Sequence, residues 1–333
     1  TTGSGLLLSN QEFNATIGEI ALAALRRRRY SCVTTIPATG KIFIIGDLHE
    51  QVDILLDIFN HIQANPETSL ELNPNNKIIL LGDLITPTKS FLSANTVLGL
   101  DQADPDHLRG DIMVRAITML VALYPDQIIP MNGNHELGFY LGALLEREPT
   151  LNYHPLLLQD ILSSHHIGSA SISNYKFYAQ VIETLPMMVF IQKPNEQYVI
   201  MHSPGSHPLP TEQQLLQTKH ILDWTTPKTE AYLNVTKGHG NINQLQEYAQ
   251  ALNASKLFFG HAAPDGLIMA AAEQRWIKTD NNPGVLGFNG AGCFVDSQTR
   301  TIHSGYISLD FDNNQEAVIT MPSIISKHPE SQL

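Results

Sequence analysis

The sequence predicts an α/β fold in which a parallel β-sheet carries metal ligands along one edge. Three short apolar runs, at residues 42–45, 78–81 and 128–131, have the composition of buried strands, and a glycine closely follows each of them. Helical patterns separate the runs, and strand alternating with helix is typical of a parallel sheet with crossover helices. Such sheets bind ligands at the carboxyl ends of their strands, which is where the glycine turns fall.

Local patterns predict the elements of the first half of the chain. Apolar residues at helical spacing predict a helix over 14–29 whose last turn is basic. After the first strand, a second helix runs from Val52 through Phe59 and ends at Asn65-Pro66. Residues 84–108 are loop-like, and a helix over 111–123 then leads into the third strand. We therefore expect an insertion after the second strand.

Short strands dominate the second half. Residues 137–180 look helical and suggest a cap or lid, and residues 245–252 predict one more helix. The predicted strands are 187–191, 198–201, 256–259, 285–288, 293–296, 301–309 and 317–321. We expect an N-terminal helical segment (1–40), a main domain (41–322) with insertions at about 84–108 and 137–180, and a C-terminal tail (323–333).

Composition narrows the classes of partner and compartment. The 333 residues carry 20 Lys and Arg against 32 Asp and Glu, a formal net charge of −12, which disfavours nucleic acid and anionic membranes. The cysteines, Cys32 and Cys293, form no CxxC pair, and this fits a reducing compartment. We find no apolar run of the roughly 18 residues that a transmembrane helix needs. We also find no signal peptide, so we expect a cytoplasmic protein.

Six side chains at strand ends, each with an ordinary structural explanation when taken alone, together have the chemistry of a metal centre. Asp47 and His49 are two residues apart, so in an extended segment both point the same way. Carboxylate, imidazole and amide oxygen suit Mn, Fe or Zn, and the lack of thiolate argues against a structural zinc site. Six ligands suit two ions about 3.5–4 Å apart, which share a carboxylate and activate a water for attack on phosphorus. The six residues are Asp47, His49, Asp83, Asn134, His202 and His261.

These motifs resemble those of the calcineurin-like metallophosphoesterases and, more narrowly, of the PPP-type Ser/Thr protein phosphatases. Residues 46–50, Gly-Asp-Leu-His-Glu, stand where the family has Gly-Asp-x-His-Gly, and residues 133–136, Gly-Asn-His-Glu, match it without change. The resemblance implies a four-layer α/β/β/α sandwich and makes His135 the general acid, a step that histidine suits near neutral pH. It also implies that one ion is held by Asp47, His49 and Asp83 and the other by Asp83, Asn134, His202 and His261.

The second family motif is interrupted here. Thr86 stands in its acidic place, and the Arg-Gly pair that should follow reappears after the insertion as Arg109-Gly110. In this alignment Arg109 binds the phosphate, because a guanidinium can donate two parallel hydrogen bonds to one phosphate group. The same alignment makes Asp106 the residue that orients His135. The other interpretation is that Arg109 is an ordinary loop arginine.

Two further phosphate contacts of the family are altered. The arginine that precedes its Gly-Asn-His-Glu motif is Asn132 here, which predicts a weakened or lost contact. A later arginine falls near Lys237, which is a plausible point-charge substitute. The pattern therefore leaves substrate choice more open than the chemistry.

Three functions fit these observations. The first is a metal-dependent phosphoprotein phosphatase that acts on phosphoserine or phosphothreonine, or alternatively on phosphotyrosine. For this function Mn is the preferred ion, with Fe or Zn as alternatives. The second is a nucleotide or dinucleoside-polyphosphate hydrolase of the same family. The third is a non-catalytic binding module on a phosphatase scaffold. The chain also resembles effector phosphatases that intracellular bacteria secrete. A protein of that kind would act inside a host cell.

Overall fold

The fold is an α/β architecture with two mixed sheets packed face to face and a third, smaller sheet. A computed structural model describes residues 9–28, 33–48, 50, 52–85, 105–137, 139–140, 175–202, 247, 249–260, 284–287, 293–296, 301–313, 315–320 and 324–327. Its helices are α1 (Asn10–Phe13), which continues through a π-helical turn (Asn14–Gly18) into α2 (Glu19–Arg28), then α3 (Val52–Ala64), α4 (Pro105–Leu123) and α5 (Tyr175–Thr184).

The first sheet contains the three strands that the glycine turns end. Its strands are β2 (Lys41–Ile45), β3 (Lys77–Leu80), β4 (Ile128–Pro130), β11 (Tyr306–Asp310) and β12 (Gln315–Thr320), in the order β12-β11-β2-β3-β4. β2, β3 and β4 are parallel, so their carboxyl ends meet at one edge, as predicted. β11 and β12 extend this sheet in antiparallel fashion.

The second sheet brings a further strand end to the same region. It runs in the order β1-β5-β6-β7-β8, with β1 (Val33–Pro37), β5 (Met188–Gln192), β6 (Gln197–Met201), β7 (Lys256–Phe259) and β8 (Gly284–Gly287). β6 and β7 are parallel, so the residues that follow them emerge at the same edge. A third sheet pairs β9 (Cys293–Asp296), β10 (Thr301–Ser304) and β13 (Ile324–Lys327) in antiparallel fashion.

Alternation along the strands produces the four layers. Phe43 and Ile45 of β2 face a core to which α1 to α5 contribute, whereas Ile42 and Ile44 face a second core between the two large sheets. On the far side of the second sheet, a third core contains Leu257 of β7 together with Ala249 and Leu252 of the preceding segment. Helices, sheet, sheet and helix therefore stack in the predicted α/β/β/α order.

The structure differs from the predicted elements in several places, one of which is the additional strand β13 within residues 323–333. β1 was not predicted, because a short run that ends at a proline gives little indication of a strand; it pairs with β5 at the edge of the second sheet. α4 begins at Pro105 rather than residue 111, since proline is well suited to the first helical position. The predicted strand 301–309 divides at Gly305 into β10 and β11, which belong to different sheets.

No helix within the described ranges combines the length and apolar character needed to cross a lipid bilayer.

The end of the first sheet opposite the glycine turns is closed by a buried asparagine. Asn76 is fully buried; its Oδ1 accepts the N–H of Lys41 at 2.9 Å and its Nδ2 donates to the carbonyl of Glu67 at 3.1 Å. We expect Asn76→Ala to lower the free energy of unfolding by about 1–3 kcal/mol, because it leaves partly buried backbone groups without their hydrogen-bond partners. Urea denaturation measures this, and an unchanged midpoint would contradict it.

Candidate metal centre

Four strand ends from the two large sheets meet at one buried cluster. Asp47 follows β2, Asp83 follows β3, a helical turn at residues 134–137 follows β4, and His202 follows β6. Asp47, Asp83 and His202 are each no more than 2% exposed. One ligand atom from each of these three residues lies within 4.8 Å of the others. Sequence-distant groups that were predicted to belong to one two-metal centre therefore lie together.

His202 is oriented for coordination by its backbone partner. Its Nδ1 lies 3.1 Å from the carbonyl oxygen of Leu81, which can only accept, so Nδ1 carries a proton whether the ring is neutral or charged. Its Nε2 then faces Oδ1 of Asn134 at 3.1 Å and Oδ2 of Asp83 at 3.4 Å, while Oδ1 of Asp47 lies 3.4 Å from Nδ1. A ring N–H donated to a backbone carbonyl is the usual partner arrangement of a metal-binding histidine.

Asp83 adopts a backbone conformation that few residues favour. Its φ is +45° and that of Gly82 is +104°, both in the left-handed region. A glycine suits its position because a Cβ on Gly82 would lie 2.5 Å from the amide nitrogen of Gly133. The carbonyl of Asp83 accepts the N–H of Leu48 at 3.1 Å. The turn is thus held against both the first and the third motifs.

Glu50 ends the first motif with a second left-handed residue. Its φ is +63°, it is 1% exposed, and its N–H donates to the carbonyl of Leu84 at 2.9 Å. The family motif has glycine at this position, which a positive φ favours. The backbone therefore keeps the shape of a glycine turn although a buried carboxylate stands there.

The structure adds one residue to the site that sequence reasoning missed. Glu136 is fully buried, and its carboxylate accepts N–H groups from both the second and the third motifs. Oε2 accepts from Asp83 at 2.7 Å and Gly133 at 2.9 Å, and Oε1 accepts from Leu84 at 2.8 Å and Ile85 at 3.0 Å. The only indication in the sequence was the match of Gly-Asn-His-Glu to the family motif.

The charges of the cluster fit a divalent cation. Burial by itself would lower the pKa of His202, but the carboxylates of Asp83 and Asp47 outweigh it and raise that pKa to about 9. Burial, and then the charge of Asp83, raise the pKa of Glu136 to about 7, while N–H donors oppose them. Since both of its oxygens already accept N–H groups, we assign Glu136 as ionised. Within this group Asp47, Asp83 and Glu136 thus face one imidazolium, and bound cations would offset the excess negative charge.

Asn134 and His135 both face the cluster from the helical turn that follows β4. His135 N–H donates to Oδ1 of Asp83 at 3.1 Å, and its Nε2 lies 3.6 Å from Oδ2 of Asp83. The His135 side chain is 26% exposed, in contrast to the buried Asp83. His135 therefore stands at the rim of the site, where a substrate can reach it.

Asn132 does not enter the site. It is 1% exposed, and its Nδ2 donates to the carbonyls of Ile182 at 3.2 Å and Leu185 at 3.1 Å at the end of α5. Its backbone N–H donates to the carbonyl of Pro186 at 2.8 Å. Asn132 therefore connects the end of β4 to the end of α5, and its side chain does not take the place of the family's phosphate-binding arginine.

The other predicted site residues are described only in part or not at all. His49, His261 and Lys237 lie outside the described residues. Asp106 and Arg109 have their backbone in the first turns of α4, not in the predicted loop, and their side chains lie outside the description. Gly260, which precedes His261, lies against the site: a Cβ there would be 2.6 Å from Oδ1 of Asp47.

Comparison with solved structures finds a known protein of similar fold. A solved structure described as a protein serine/threonine phosphatase from Saccharomyces cerevisiae, with similarity to human phosphatase PP5, matches with a TM-score of 0.54 at 16% identity over 97% of this chain and 92% of that one. A hypothetical protein from Pyrococcus horikoshii (TM-score 0.44, 8% identity) covers 85% of this chain and 88% of its own. A cold-active protein-tyrosine phosphatase of a psychrophilic Shewanella species (TM-score 0.43, 13% identity) covers 85% and 81%.

Sequence comparison identifies the family directly. No curated protein matches the chain significantly. The family model for calcineurin-like phosphoesterases matches residues 40–265, a span that contains β2 to β7 and every residue of the cluster. The chain therefore belongs to the calcineurin-like phosphoesterase family, a family of phosphoester hydrolases.

Proposed function

We propose that the protein is a metal-dependent phosphoprotein phosphatase that hydrolyses phosphoserine and phosphothreonine monoesters. The observation that carries the proposal is the buried convergence of Asp47, Asp83 and His202, with Asn134 beside them and His135 at the rim. Its donors are the carboxylate, imidazole and amide groups that suit Mn, Fe or Zn, and we expect Mn to support activity best.

The residues of the cluster would hold two divalent ions. Asp47, Asp83, Asn134 and His202 are the described ligands in this proposal, and His49 and His261 complete the set. When bound, such ions lower the pKa of a water and neutralise charge on the phosphoryl group. Asp83 is the proposed shared ligand, as the resemblance to the family implies, and its carboxylate contacts both His202 and the turn that carries Asn134 and His135.

His135 is the proposed proton donor to the leaving alkoxide. Its N–H is fixed on Oδ1 of Asp83, and its ring lies beside Oδ2 of the same carboxylate, so backbone and side chain are both held. Its partial exposure leaves room for a serine or threonine oxygen to approach. Proton transfer at this point prevents the departure of a high-energy alkoxide.

The choice of a protein substrate is supported by the sequence motifs and by the fold. The PPP-type motifs and the fold likeness to a yeast protein described as a serine/threonine phosphatase favour phosphoserine and phosphothreonine. Arg109 and Lys237 are the proposed phosphate contacts, with Asp106 the proposed partner of His135. We assign residues 41–322 to the catalytic unit.

A substrate panel tests the proposal. The protein, stripped with chelator and reloaded with Mn, is offered phosphoserine, phosphothreonine and phosphotyrosine peptides and a dinucleoside tetraphosphate. We expect phosphate release from the first two, lost with chelator and restored by Mn. Turnover of the nucleotide alone would assign the second function, and no turnover of any substrate or of p-nitrophenyl phosphate would favour a binding module.

Replacing the proposed acid separates catalysis from metal binding. We expect His135→Asn to lower kcat about 10²–10⁴-fold on phosphoserine peptides, the range that general acid catalysis contributes. Mn affinity, measured by titration calorimetry, should stay within a few-fold of the parent because no ligand is removed. On a substrate with an acidic leaving group, such as p-nitrophenyl phosphate, kcat should fall much less. An equal loss on both substrates would contradict the assignment.

A further inference from the structure

Glu136 connects two motifs that lie about fifty residues apart in sequence. Its carboxylate accepts N–H groups from Asp83, Leu84 and Ile85 in the turn after β3 and from Gly133 in the turn after β4. A carboxylate has about four lone-pair sites, so all of them are occupied. The side chain is fully buried and touches no surface that a substrate could reach.

The connection closes a ring of hydrogen bonds. The side chain of Glu136 accepts the N–H of Asp83, and the side chain of Asp83 accepts the N–H of His135, the residue before Glu136. Each turn thus fixes the other through one carboxylate. Since the φ of Asp83 is +45°, a conformation with intrinsic cost, the bond to its N–H helps to maintain it.

We propose that Glu136 is a positioning residue, which sets the direction of the Asp83 carboxylate and the place of the His135 ring without touching substrate or metal. The inference rests on the proposed function for its catalytic consequence. Its consequence for metal affinity rests only on Asp83 being a ligand, since partners behind a ligand typically change metal affinity about 10–100-fold.

The isosteric variant Glu136→Gln makes a sharp test. Glutamine keeps the size and one accepting oxygen, but its NH₂ group would face two N–H donors of the turns. We expect Mn affinity to fall about 10–100-fold and kcat on phosphoserine peptides to fall about 10²-fold, with KM within about threefold. We also expect the visible spectrum of the Co²⁺-loaded protein to change, because the geometry of the ligands changes.

Asn76→Ala is the matched control. It also removes a buried hydrogen-bonding side chain, but at the opposite end of the first sheet. At a temperature where both variants are fully folded, this control should keep the parental kcat, Mn affinity and Co²⁺ spectrum. A general loss of stability would affect the two variants alike.

Two measurements keep the inference separate from the proposed function. If the parent hydrolyses no phosphoester, the proposed function fails, while Mn affinity and the Co²⁺ spectrum still test Glu136. If Glu136→Gln does not fold, Glu136→Asp is used, which keeps both acceptors on a side chain one carbon shorter; it should show the same changes at smaller size. Parental Mn affinity and spectrum in whichever variant folds would overturn the inference.

Discussion

Asp83→Asn should abolish phosphatase activity while leaving the metal-free fold intact. Asparagine has the size of aspartate and tolerates the left-handed backbone that Asp83 adopts at φ +45°, so the turn should keep its shape. The substitution nevertheless removes the negative charge that faces Nε2 of His202 at 3.4 Å. Metal ions supply several kcal/mol of transition-state stabilisation, so we expect kcat/KM to fall about 10³-fold or more.

The stability of the metal-free protein should change much less than its activity. The charge of Asp83 repels the ionised Glu136, whose pKa it raises, but it also attracts the imidazolium of His202, whose pKa it raises as well, so its removal relieves one interaction and weakens another. We therefore expect the chelator-treated variant to unfold close to the denaturant midpoint of the parent. Added Mn should raise the denaturant midpoint of the parent but not that of the variant, because a ligand stabilises a folded protein only if it binds to it.

Asp310→Asn is the control for Asp83→Asn. Asp310 is also a largely buried carboxylate, but it pairs with Lys41 at 3.5 Å at the amino end of β2, away from the strand ends that carry the cluster. It should keep the parental kcat/KM and the stabilisation by Mn. Parental turnover in Asp83→Asn would show that Asp83 is not a ligand and would remove the basis of the proposed site.

The sequence predicted those strands that their own residues are enough to indicate. β2, β3 and β4 combine an apolar run with a glycine turn, and their composition alone indicates burial. β1 could not be predicted in this way, because two more exposed residues separate its buried residues, Val33 and Ile36, and because the strand depends on pairing with β5. The assignment of β10 and β11 to separate sheets likewise depends on distant partners.

The same distinction between local signals and distant contacts applies to the residues of the candidate site. Asp47, Asp83 and Asn134 could be grouped from sequence, since each follows a predicted strand of one parallel sheet and such strands end at one edge. His202 also follows a predicted strand, but that strand lies in the other large sheet. The role of Glu136 could not be predicted, because all but one of its four hydrogen bonds reach a turn more than fifty positions away. The inward direction of Asn132 was also not predictable, as it depends on the carbonyls at the end of α5.

Gly133→Ala should damage the site through packing alone, with every candidate ligand retained. A Cβ on Gly133 would lie 2.3 Å from both the amide nitrogen and Oδ1 of Asp83. Neither atom can move freely, since the amide donates to Glu136 and Oδ1 accepts from His135. Overpacking of this kind costs about 1–3 kcal/mol of stability. A displacement of about 1 Å at reacting groups can cost about 10²-fold, so we expect kcat to fall by that factor.

Gly40→Ala separates the loss of activity from the loss of stability. Gly40 has φ +65°, and a Cβ there would lie 2.7 Å from the backbone carbonyl of Asn75, so alanine should be about as costly to the fold. It precedes β2, however, at the end of the sheet opposite Asp47. Urea denaturation should show similar losses for the two variants, while only Gly133→Ala loses kcat in its folded fraction. Equal activities would mean that the contact between Gly133 and Asp83 has no part in placing the carboxylate.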